Sequence, residues 1–138
     1  MSKVKVILFW LISCTWGAIM TSIGAVVALV LICTGHRPHR FHHLIYFEVG
    51  YGWGGVELGA FFVVSRGASL HTKKHEAGHA IQNIILGVFM PFVVCIPSAV
   101  RYWWREWVKH RGRGATLPPY DSIWFEGWAS RLGEKYFN

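Results

Sequence analysis

The stretch SLHTKKHEAGHAIQNIIL, Ser69 to Leu86, decides how the rest of the chain is read. Its apolar members Leu70, Ala77, Ala80, Ile81, Ile84 and Ile85 recur with a mainly helical period. No proline interrupts them, and Ser69 stands where an N-cap belongs. The spacing predicts a helix, on which His75 and His79 lie four residues apart on one face and both reach one metal ion. Glu76, one position on, is placed to take a proton from a water activated there. Gly78 removes a side chain between the histidines, so that another backbone can come close, at a cost of about 1 kcal/mol in helix propensity. Gln82, one turn past His79, is either a partner of a ligand or a solvated glutamine. The bland alternative is a helix with solvated or hydrogen-bonded histidines and Glu76 paired with a lysine.

Working downstream, Gly87–Val100 is strongly apolar but holds Pro91 and Pro97. The apolar run around residues 84–100 is short for a span, and a re-entrant or interfacial segment kinked at the prolines describes it better. Arg101–Arg113 is aromatic and basic, as a helix lying at lipid headgroups would be, and Gly112–Pro119 is a loop. Tyr120–Tyr136 has a helical pattern, with Ile123, Trp124, Trp128, Ala129 and Leu132 on one side.

Upstream, Leu44–Gly50 and Val56–Val64 flank a glycine-rich Tyr51–Gly55 and suggest a β-hairpin. Thr34–His43 is a basic connector with four histidines, which suits a headgroup-facing loop. Before it, Val6–Cys33 runs 28 residues without a charged side chain. That length is enough to cross a bilayer with some tilt, and it is too long for a signal-peptide core. The expectation is a membrane protein with a transmembrane helix at 6–33 and one small membrane-associated domain at 34–138.

The net charge is +7, with twelve of the fourteen Lys and Arg beyond Cys33. Beside a membrane anchor this favours anionic lipid headgroups as partner, and no nucleic-acid-binding motif is present. The excess of Lys and Arg beyond the anchor points to a cytoplasmic catalytic part. Small residues in the span permit a homo-oligomer. Cys14, Cys33 and Cys95 lack CxxC spacing and read as small buried hydrophobes.

Two histidines do not complete a catalytic metal site. Glu126, in Trp124-Phe125-Glu126-Gly127-Trp128, is the best third ligand among seven carboxylates, because an unpaired charge in so apolar a setting is costly. Asp121, as ligand or as a group orienting a histidine, and His71, one turn before His75, are the alternatives. Glu48 and Glu57 are less favoured. Tyr120 and His71 are candidate donors to a developing oxyanion.

His75-Glu76-x-x-His79 on one helix, with Glu126 later in a Glu-x-x-Ala setting, resembles the gluzincin branch of the zincin metallopeptidases. The resemblance covers about a fifth of the chain. It implies an α+β fold with a small, mainly helical zincin-like domain. It also implies Zn²⁺ held by His75, His79 and Glu126, Glu76 as general base, and an edge strand within Val56–Val64 that aligns a peptide or protein substrate. The gap from His79 to Glu126 is longer than in better-known members. Site-2 membrane proteases also carry HExxH, but within a transmembrane helix, and Lys73 and Lys74 argue against that placement here. The functional expectation is a membrane-anchored zinc peptidase. The alternatives are a small membrane scaffold with a structural HExxH helix and a metal-binding sensor without turnover.

Overall fold

A computed structural model of the chain describes residues 2–138. They form a mixed α/β fold: α1 (Lys3–Cys14), α2 (Ala18–Cys33), β1 (His39–Phe41), β2 (Leu44–Glu48), β3 (Gly55–Leu58), β4 (Phe61–Val64), α3 (Leu70–Leu86), α4 (Ile96–His110) and α5 (Trp124–Tyr136). The four strands make one sheet in the order β1-β2-β4-β3.

The expected transmembrane helix at 6–33 is not there. The apolar run breaks at Thr15–Gly17 into α1 and α2, bent by 94°, and among the described residues no single helix is long and apolar enough to cross a membrane. The break has local causes. Thr15 folds its hydroxyl back onto the Leu11 carbonyl at 2.8 Å. Gly17 lies so close to Asn83 that a β-carbon there would come within 2.5 Å of the side-chain nitrogen. Ala28 of α2 packs on Phe47 and Val63 of the sheet, and Phe9 of α1 joins the core made by Leu44, Phe62, Ala77 and Ala80. α2 and α3 thus pack on β4 with the sheet between them. Part of the hydrophobicity that suggested a span packs within the protein, through Phe9, Met20 and Ala28, while Ile7, Leu8, Leu11, Ile23, Val26 and Leu29 stay exposed.

The expected hairpin across Tyr51–Gly55 is also replaced. β2 runs parallel to β4, Ile45 opposite Phe61, so the glycine-rich segment is part of a crossover that carries β3 to the sheet edge. The hairpin is β3–β4, turned by Gly59 and Ala60, with Gly59 in the left-handed region at φ +75°. That conformation costs glycine little.

The segment after α3 kinks near the first proline. A 3₁₀ turn (Gly87–Phe89) and a π turn (Pro91–Cys95) join α3 to α4, the two limbs bent by 115°, while Pro97 sits in the first turn of α4 where no amide donor is needed. The last helix begins at Trp124, after a 3₁₀ turn at Tyr120–Ser122, and not at Tyr120. Cys14 and Cys33 are exposed, contrary to expectation, and Cys95 is partly buried.

His43 is enclosed between Phe9 (ring centroids 4.4 Å apart) and the stacked Phe137 (5.3 Å). Burial, helped by His42, pushes its imidazole down to about 4. The folded state holds this ring neutral, so its contribution is fully present above about pH 6.5. As pH falls towards 4, the unfolded chain binds a proton that the folded chain refuses, and on the order of 2–3 kcal/mol of stability is lost. Denaturant unfolding at pH 7 and pH 4.5 checks this: the wild type should lose more stability on acidification than His43→Phe.

Candidate metal centre

α3 begins as its sequence requires. The Ser69 hydroxyl accepts from the Thr72 amide at 3.1 Å and caps the helix that carries both histidines. α5 packs against the same turns, because neither helix has a side chain at the closest points. A β-carbon on Gly78 would lie 1.9 Å from the Ala129 carbonyl oxygen, and one on Gly133 would lie 2.1 Å from that of Lys74. This close approach brings Glu126, fully buried, over the histidine pair.

Three ligand atoms converge there. Glu126 Oε2 is 3.1 Å from His75 Nε2 and 3.1 Å from His79 Nε2, and the two ring nitrogens are 3.2 Å apart. A tetrahedral ion with bonds of about 2.0–2.1 Å separates its ligands by about 3.3–3.4 Å, so these edges fit such an ion closely. The buried His75–His79–Glu126 group could hold a metal ion.

The surroundings fix which ring atoms face the centre. Gln82 donates from Nε2 to the Phe125 carbonyl at 2.8 Å, which leaves its Oε1 to accept from His79 Nδ1 at 2.7 Å. Ser130 donates to Asp121 Oδ2 at 2.7 Å, so its oxygen accepts from His75 Nδ1 at 2.8 Å. Both Nδ1 atoms therefore carry the proton, and in the neutral rings both Nε2 lone pairs point at the Glu126 carboxylate. Three electron-rich atoms about 3 Å apart repel unless a positive charge lies between them.

Burial alone would raise the Glu126 carboxyl. Imidazoles protonated at Nε2, and Ser98, whose hydroxyl donates to Oε1, outweigh it and hold the group well below the usual carboxylate range; a cation shared by the three atoms would act in the same direction. Glu76 is buried next to the centre but supplies none of the three converging atoms. Burial pushes it up to about 7; His75 opposes this and Glu126 adds to it. Gly55 of β3 makes room for it, since a β-carbon there would sit 2.6 Å from Glu76 Oε1.

The centre lies at the wall of a cleft of about 600 Å³. β3, at the sheet edge, contributes Gly55–Leu58 to the lining; the opposite wall comes from the π turn and α4. Glu57 points into the same region. One of its oxygens accepts from the Gly59 amide, the other has no partner, and burial raises its carboxyl well above the ordinary range. Of the remaining sequence candidates, Tyr120 lines the cleft, its hydroxyl 3.5 Å from Ser98 Oγ. His71 stays exposed, 3.9 Å from Asp121, and does not reach the centre. Glu48 pairs instead with Lys73 at 3.2 Å.

Sequence reading did not find Ser98 or Ser130. Ser130 had a signal, being four residues after Glu126 on the same face of one helix. Ser98 had none, because it reaches Glu126 only through the fold. Comparison with family models, characterised proteins and solved structures found no match to this chain.

Proposed function

We propose that this chain is a zinc-dependent peptidase that hydrolyses peptide bonds in the cleft beside His75, His79 and Glu126. One observation carries this reading: two imidazoles held in the metal-ready tautomer face a buried carboxylate, with a second carboxylate, Glu76, next to them and left free. Imidazole and carboxylate donors in a set of three suit zinc in a catalytic site with an open position. The ion would supply Lewis acidity towards a carbonyl oxygen and lower the pKa of water.

The chain's own groups do the rest. Glu76 accepts the proton of the attacking water and returns it to the leaving amine. β3, as the terminal strand, offers an unpaired edge along which an extended peptide backbone can lie. Tyr120, whose phenol burial and Glu126 push up to about 12, stays protonated and is a donor in the cleft wall for a developing oxyanion. The likeness of His75, Glu76, His79 and Glu126 to the gluzincin pattern supports the same roles, residue by residue.

The test is metal content with turnover. The purified wild type should hold about one equivalent of zinc and cleave a mixture of peptides scored by mass spectrometry. His79→Ala and Glu126→Ala should lose both. A wild type that binds no stoichiometric metal would sink the proposal. Zinc retained in Glu126→Ala would reassign the third ligand.

A further inference from the structure

The outer surface carries an unusual amount of apolar side chain, and its arrangement is ordered. α4 turns its apolar stripe away from the protein: Ile96, Val100, Trp103, Trp104 and Trp107, spaced four, three, one and three residues apart, are all exposed. Along the helix axis the stripe changes character, aliphatic first, then tryptophan, then the exposed cations Lys109, Arg111 and Arg113. The Arg111 guanidinium lies 4.5 Å from the Trp107 ring centroid, joining the last two zones. Hydrocarbon, aromatic belt and cation in that sequence are the layers of a bilayer surface, which a protein interface has no reason to reproduce.

The second bent pair repeats the pattern. Val4, Ile7, Leu8 and Leu11 form an exposed stripe on α1, and Ile23 and Val26 are exposed on α2. The two bends come together: the rings of Trp16 and Phe89 meet edge-on with centroids 6.1 Å apart, and Phe92 beside them is 67% exposed. Away from the bends the limbs finish in exposed cations, Lys3 and Lys5 in the first turn of α1 and Arg37 after α2. Apolar bends with cationic far ends complement a negatively charged headgroup layer over hydrocarbon. From Pro91 to Trp104 the chain rises about 20 Å, enough to reach into one leaflet of about 15 Å plus its headgroups, and not across a bilayer.

The cleft belongs to this surface. Ile23, Ile96 and Trp103 are at once exposed and part of its lining. We propose that the protein seats on an anionic lipid surface by its two helix bends, with the cleft opening into the leaflet. Resting on the peptidase reading, the substrate is then a peptide segment presented at or within that leaflet.

Flotation with phosphatidylcholine vesicles, with and without about one-third phosphatidylserine, tests the seat. The wild type should float with both, and more strongly with the anionic vesicles at low salt. Phe89→Asp with Phe92→Asp should weaken binding to either vesicle about tenfold or more. Arg111→Glu with Arg113→Glu should lose only the anionic preference, a several-fold effect. Unchanged metal content and circular dichroism keep these variants interpretable as folded. Glu76→Gln should float like the wild type, so failure of the peptidase reading leaves this result standing. A wild type that stays monomeric in the aqueous fraction overturns the proposal. So does a dimer that Phe89→Asp with Phe92→Asp converts to monomer without any vesicle binding, which would assign the surface to a second copy of the chain.

Discussion

Glu76→Gln is expected to keep about one equivalent of zinc and to lower peptide turnover by about three orders of magnitude. The replacement is nearly isosteric, and the pocket formed by Gly55 and the first turns of α3 accepts it without repacking. None of the three converging ligand atoms belongs to Glu76, so the metal has no reason to leave. What the amide cannot do is take up and return a proton, and general base catalysis is worth about 10²–10⁴ in rate. Metal analysis and cleavage assays on one preparation separate the two effects. Turnover within a few-fold of wild type would remove Glu76 as the base. Retained metal with retained binding but no dependence on Glu76 in any assay would favour a sensor over a hydrolase.

Gly78→Ala should be the most damaging small substitution in the chain. On an isolated helix it would gain about 1 kcal/mol. Here the added methyl carbon would stand 1.9 Å from the Ala129 carbonyl oxygen, which is backbone and cannot swing aside. The helices must separate, and overpacking of that kind costs about 3 kcal/mol or more. For a chain of this size the midpoint of thermal unfolding should fall by about 10 °C. The separation also carries Glu126 away from the histidines, so metal should be lost even at temperatures where the variant is folded. A Gly78→Ala protein with wild-type melting and full metal would mean that the contact between α3 and α5 is looser than described.

The candidate metal centre was the most legible part of the chain. The period of Ser69–Leu86, its cap and the histidine spacing are local, and local signals survive in sequence. Glu126 was legible for a different reason: a carboxylate among Trp124, Phe125 and Trp128 has to be compensated by something. The break at Thr15–Gly17 was hidden, because an apolar residue reads the same whether it faces Phe47 and Val63 or lipid. The turn at Gly59–Ala60 was hidden inside the β-prone run Val56–Val64, while the more conspicuous glycines at 50–55 belong to a crossover. Parallel pairing of β2 with β4 is a long-range choice with no local mark.

The interlock of Gly78 with Ala129 and of Lys74 with Gly133 has a use outside this molecule. Both pairs are four residues apart, so the two helices mesh at one pitch, and the mesh sets the rotation at which Glu126 faces its histidines. His75-Glu76-x-Gly78-His79 joined to Glu126-x-x-Ala129-x-x-x-Gly133 is therefore a single composite word that spells both the candidate ligand set and the joint that assembles it. Scanning translated genomes for that word, and not for the bare pentapeptide, would select chains able to close the same centre and discard those that match HExxH by accident.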